Sequence, residues 1–121
     1  MDYESTRTVA SRTCPGVQFV IRCMSFRRRL ELLKSVREAA RELDFRAAGE
    51  SAEDRAHAAV QSGRIEQLYL EWGLHGISGL RIDGEDATAE SLIDCGPEAL
   101  CREIAAEIRR ECALSDEERK N

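Results

Sequence analysis

Apolar and polar positions change period several times along the chain, and each change marks an element. Residues 1–14 are polar, rich in Ser, Thr and Arg, and show neither helical nor strand periodicity, so they read as a flexible arm without fixed structure. After Pro15-Gly16, the positions Val17, Phe19, Ile21 and Cys23 alternate with Gln18, Val20, Arg22 and Met24, which predicts a half-buried strand of about eight residues. Ser25 suits a helix N-cap, and from there Phe26, Leu30, Leu33, Val36, Ala40, Leu43 and Ala47 step by three or four as an inward stripe. The opposite face, with Arg28, Glu31, Lys34, Glu38, Arg41 and Glu42, belongs in water. There Glu31 with Lys34, Glu38 with Arg41 and Glu42 with Arg46 stand one turn apart. Gly49 is a fitting stop.

A second helix opens at Ser51, where Ser51-Ala52-Glu53-Asp54 resembles a capping box, and runs to Trp72. Its stripe is Ala56, Ala59, Val60, Gly63, Leu68 and Trp72, and Ser62-Gly63 is a point where it can kink or divide. The small residues at its start favour close antiparallel packing on the first helix. Gly73, Gly76, Gly79 and Gly84 then forbid a long helix and read as turns. Leu80-Arg81-Ile82, closed by Asp83-Gly84, predicts a strand that pairs with Val17–Met24 as a two-stranded sheet. Thr88 caps a short helix through Ile93, ended by Cys95-Gly96, and Pro97 fits the first position of a last one. That helix turns Leu100, Ile104, Ala105, Ile108 and Cys112 inward, pairs Glu98 with Arg102, and ends near Leu114 before a polar tail, 115–121. The fold class is α+β, mostly α: an antiparallel helix pair plus C-terminal helices with a small two-stranded β-sheet, one domain over 15–114.

Length and charge narrow this picture. A chain of 121 residues supports one core and no second domain. No apolar run approaches the roughly 20 residues that span a bilayer. The acids at Asp2 and Glu4 and the lack of an apolar core segment argue against a secretory signal, so the cytoplasm is the expected location, with no membrane partner. Residues 1–48 carry 10 basic and 6 acidic groups (+4) and residues 49–121 carry 8 and 17 (−9), summing to the net −5. Such polarity suits head-to-tail self-association or an acidic face for a basic partner, and solvated helix faces give the same statistics. The five cysteines, Cys14, Cys23, Cys95, Cys101 and Cys112, are odd in number and lack C-x-x-C spacing, so they read as free thiols rather than disulfides or zinc ligands.

No motif carries catalytic or cofactor chemistry. There is no Gly-x-Gly-x-x-Gly and no Walker-type Gly-Lys-Ser/Thr, the acids Asp83, Glu85 and Asp86 lack an ordered ligand run, and His57 and His75 have no triad signature. No cofactor, metal or catalytic residue is expected. Two clusters invite a binding role. Arg27-Arg28-Arg29, with Arg22, forms a basic group suited to phosphate or to an acidic protein surface, although cations at a helix N-terminus oppose its dipole. Tyr69, Trp72 and Leu74 form the aromatic concentration, typical of a core anchor or of an interface hot spot.

Several segments together resemble the tail assembly chaperones of tailed bacteriophages and their prophages. They are Pro15-Gly16-Val17 leading to Phe19, Ser25 through Leu32, Tyr69-Leu70-Glu71-Trp72-Gly73-Leu74, Gly79-Leu80 before Asp83-Gly84-Glu85, and the ending Leu114 to Asn121. The likeness covers about residues 15–121 and does not extend to residues 1–14, His75 or the cysteines. It implies a non-enzymatic protein that binds unassembled tape-measure protein, keeps its apolar helices soluble and helps recruit tail-tube protein. Partner contacts are then expected at Tyr69, Trp72, Leu74, Arg27, Arg28 and Arg29. The alternative is a small phage-encoded regulator binding nucleic acid through Arg22 and Arg27–Arg29.

Overall fold

A computed structural model describes residues 1–47 and 51–120, with side-chain environments for 1–42 and 51–113. The elements run β1 (Thr6–Ala10), β2 (Gln18–Arg22), α1 (Phe26–Ala47), α2 (Ala52–Gly73), β3 (Leu74–Ser78), β4 (Arg81–Ile82), β5 (Glu85–Asp86), α3 (Ala89–Cys95) and α4 (Glu98–Lys120). The mostly helical α+β class and the antiparallel α1–α2 pair agree with the sequence reading, as do the caps. Ser25 Oγ accepts from Arg28 N at 3.3 Å, Ser51 Oγ from Asp54 N at 3.0 Å, and Thr88 and Ser91 form a reciprocal capping box. Pro97 sits immediately before α4, with its carbonyl accepting from Cys101 N. The proposed stop at Gly49 lies outside the described residues.

The sheet departs from expectation. β2 is the centre of a three-stranded antiparallel sheet, β1-β2-β3, and β4 pairs only with β5. Residues 6–10, read as part of an arm without structure, are therefore an edge strand. Its Thr6, Thr8 and Val9 have the β-branched character of a strand, but an edge position removes the alternation that would reveal it. β2 takes Leu74–Ser78 as its second partner rather than Leu80–Ile82. In β3 a register shift, in which Val20 faces Gly76 but Ile21 faces Leu74, sets Leu74 and Ile77 three residues apart and erases the alternation of a regular strand. Leu80–Ile82 instead leads into a tight hairpin, whose Asp83 (φ 52°) and Gly84 (φ 84°) both take the positive φ of a type I′ turn.

Within the helices the core lies where the pattern was strongest. Val17, Phe19 and Ile21 of the β2 region and Leu100, Ile104, Ala105, Ile108 and Cys112 of α4 are buried as expected. The expected stripe of α1 holds in part: Leu33, Val36 and Ala40 are half-buried, but Phe26 and Leu30 face water, and Arg29 and Leu32 point inward instead. α2 is unbroken at Gly63, and its buried residues are Leu68, Tyr69, Leu70 and Gly73, with Ala56, Ala59, Val60 and Gly63 exposed. α4 runs on through Lys120 rather than ending near Leu114, since residues 115–120 contain no Gly or Pro to stop it.

Burial divides the α1–α2 pair into a base and an arm. Among the described residues, none from Leu33 to Glu42 or from Ser51 to Gln67 is fully buried. The distal half of the pair, about 20 Å at 1.5 Å per residue, is therefore a thin two-helix projection. At the base, the C-terminal end of α2 packs on α1, α4, α3 and the sheet. Gly73 permits a close approach of α2 to α4: a Cβ there would collide with the side chain of Ile108.

Candidate functional site

The two candidate clusters meet at the base of the arm. Arg28, in the first turn of α1, lies over the Trp72 ring with its guanidinium carbon 4.9 Å from the ring centre, and donates a 2.9 Å hydrogen bond to the Trp72 carbonyl. A guanidinium at the C-terminal end of a helix satisfies a carbonyl that has no intrahelical partner and complements the dipole. Arg29 is buried and donates a 3.5 Å bond from Nε to the Cys112 carbonyl on α4. These two arginines thus tie helices together from within.

The expected binding residues separate accordingly. Tyr69 and Leu74 are buried in the core, and Arg109 of α4 lies 6.0 Å from the Tyr69 ring centre. Burial raises the Tyr69 phenol above its ordinary value, with Arg109 opposing the shift. Trp72 is half-buried and packs against the same core. Tyr69 and Leu74 thus serve the core, whereas Trp72 keeps part of its surface open. Arg27 remains exposed, Arg28 is engaged and Arg29 is buried. Arg22 is half-buried, so the arginine cluster does not present a continuous phosphate-facing surface.

Charge polarity has an internal use that the sequence reading did not identify. Glu103, Glu107 and Glu111 recur every fourth residue along α4, on the side that receives β1 and the loop after it. Ser11 Oγ donates to Glu103 at 2.6 Å and Arg12 N at 2.7 Å, while Arg7 stands 3.7 Å from Glu107 and 3.3 Å from Glu111. Arg12 and Arg110 also reach Glu107, at 3.5 and 2.9 Å. Burial raises the Glu103 carboxyl, but the bonds from Ser11, Arg12 and Thr13 outweigh it and hold the group below its ordinary value. The polar N-terminal segment is ordered by this ladder in addition to strand pairing. Three glutamates at helical spacing opposite two early arginines are the signal that could have revealed it.

Among the described residues no group of three His, Cys, Asp or Glu is placed to hold a metal ion, and no helix is long and apolar enough to cross a membrane. His57 and His75 are exposed, with His57 3.8 Å from Glu53. None of the five cysteines is in a disulfide. Burial first, then Glu111, pushes the Cys23 thiol up, and burial with Glu98 does the same to Cys101, the opposite of activation. A notch of about 360 Å³ between α2 and α3 is open and lined by Glu71, Ala89, Glu90, Ile93 and Asp94, and one of about 260 Å³ between α1 and α2 by Ser35, Glu38, Gln61 and Arg64.

What the surface offers is apolar area on a helix. Phe26 is 64% exposed and Leu30 49% exposed, one turn apart on the outer side of α1, and Val60 on the arm is 69% exposed. No protein-family model, curated protein or solved structure matches the chain.

Proposed function

We propose that this protein is a non-catalytic phage tail assembly chaperone, working in the host bacterial cytoplasm. It binds unassembled tape-measure protein, keeps that protein soluble and assists its meeting with tail-tube protein. One observation carries the reading: Phe26 and Leu30, one turn apart at the start of α1, are 64% and 49% exposed. Paired apolar side chains at helical spacing suit capture of an amphipathic helix through its own spaced anchors. Such contacts are modest in area, so a competing tail-tube surface can displace them. The segments that resemble tail assembly chaperones, Ser25 through Leu32 above all, include this face.

Co-expression with the tape-measure protein encoded at the same locus tests the reading. The tape-measure protein is expected to move from the insoluble to the soluble fraction and to co-purify. Unchanged solubility with no recovered complex sinks the proposal.

A further inference from the structure

The outer side of α1 carries a charge pattern alongside its apolar one. Phe26, Leu30, Arg37 and Arg41 follow one another at helical spacing, Arg27 and Lys34 stand beside them, and all six are exposed. Among the described residues, the side chains of Arg27, Lys34, Arg37 and Arg41 make no ion pair or hydrogen bond, as is also the case for Arg22, Arg55 and Arg64, whereas those of Arg7, Arg12, Arg102 and Arg110 do. The pairs available along α1, Glu31 with Lys34 and Glu38 with Arg41, are not formed. Cations at such spacings repel one another, and no direct ion pair among the described residues offsets that repulsion. The acids Glu31, Glu38 and Glu42 occupy the adjoining strip of the same exposed surface. The helix therefore shows water an apolar end, a basic strip and an acidic flank.

Resting on the chaperone reading, we infer that this strip seats an amphipathic helix of the captured protein whose apolar stripe is edged by carboxylates. Its apolar side chains cover Leu30 and Phe26, and its carboxylates face Lys34, Arg37 and Arg41. From residue 26 to residue 41 the strip is about 22 Å long at 1.5 Å per residue, enough for about four turns of a partner. Charge complementarity fixes the partner's orientation more than its affinity. Duplex nucleic acid fits less well: it places phosphates on both sides of the contact, where they meet Glu31, Glu38 and Glu42, and it leaves Leu30 uncovered.

The test uses the full chain and two fluorescent synthetic helical peptides with the same leucine stripe, one edged by Glu and the other by Lys, titrated by anisotropy at low and physiological salt. The Glu peptide is expected to bind at least about tenfold more tightly, an effect that salt weakens. The double variant Arg37→Glu/Arg41→Glu is expected to invert the order, and Leu30→Asp to weaken both peptides, each with an unchanged circular dichroism spectrum. Equal binding of the two peptides, or a preference that survives the double variant, overturns the inference. So does a 20-base-pair duplex that binds more tightly than the Glu peptide, or self-association of the wild type that the double variant abolishes. Co-expression with tape-measure protein separates the two proposals. If wild type and double variant solubilise it equally, the docking strip falls and the chaperone reading stands. If the peptide preference holds while wild type leaves tape-measure protein insoluble, the chaperone reading falls and the strip stands.

Discussion

Arg28 and Trp72 lock the base of the helical arm: the guanidinium stacks on the indole and bonds the carbonyl of the same residue, so one side chain holds both ring and backbone. The pair joins the start of α1 to the end of α2, residues 44 positions apart. Because the stacking and the hydrogen bond need a planar, forked cation, lysine is a poor substitute.

Arg28→Ala is expected to destabilise the fold by about 1–3 kcal/mol, combining a charged hydrogen bond with a cation–π contact. Arg28→Lys should recover less than half of that. Urea unfolding with matched m-values measures both, and an Arg28→Ala variant as stable as wild type would show that the contact is ornamental.

Glycines in α2 should respond with opposite signs. At Gly63 an added Cβ meets open space in an exposed helix interior, so Gly63→Ala is expected to stabilise by about 0.5–1 kcal/mol. At Gly73 the same atom collides with Ile108, so Gly73→Ala is expected to destabilise by about 1–3 kcal/mol. Thermal melts of the two variants give the signs directly.

Acid should loosen the N-terminal segment. The Glu103 carboxyl is held below its ordinary 4.5 in the folded chain, so its contribution is full above 4.5 and is lost as pH falls through the lower folded value. Glu103→Gln is therefore expected to be less stable than wild type at pH 7, with the gap closing as acid protonates the folded carboxyl below 4.5. A gap that stays constant across that range contradicts the assignment.

Thiol labelling at pH 8 should follow exposure and acidity. Cys95, exposed at the end of α3, is expected to react first, and Cys112, buried in α4, last. Cys23 and Cys101, whose thiols are pushed up by burial, should lag behind Cys95. Single-cysteine chains and a chromogenic disulfide reagent resolve the order.

Legibility in the sequence tracked how one-sided each element is. α4 was plain because Leu100, Ile104, Ile108 and Cys112 are buried on one stripe and flanked by charge. α3 was plain because Thr88 and Gly96 bracket it. β1 escaped because its order depends on partners far away, Glu103 and Glu107 among them, and on pairing with β2. The first turns of α1 escaped for a related reason: Leu33, Val36 and Ala40 lie on the inner side as their spacing implies, but the packing of Arg29 and Leu32 against the rest of the fold leaves Phe26 and Leu30 outside. The tentative binding residues divided on the same principle. Tyr69 and Leu74 were drawn into the core with their neighbours, whereas Leu30 and Arg37, on the strip the apolar period had turned inward or passed over, came to face water.

The most direct measurement compares the soluble fraction of co-expressed tape-measure protein with wild-type chain and with Leu30→Asp. The account predicts a soluble, co-purifying complex with the wild type and its loss with a variant that remains folded. Equal solubilisation by both chains would contradict the claim that the outward apolar face of α1 does the capturing.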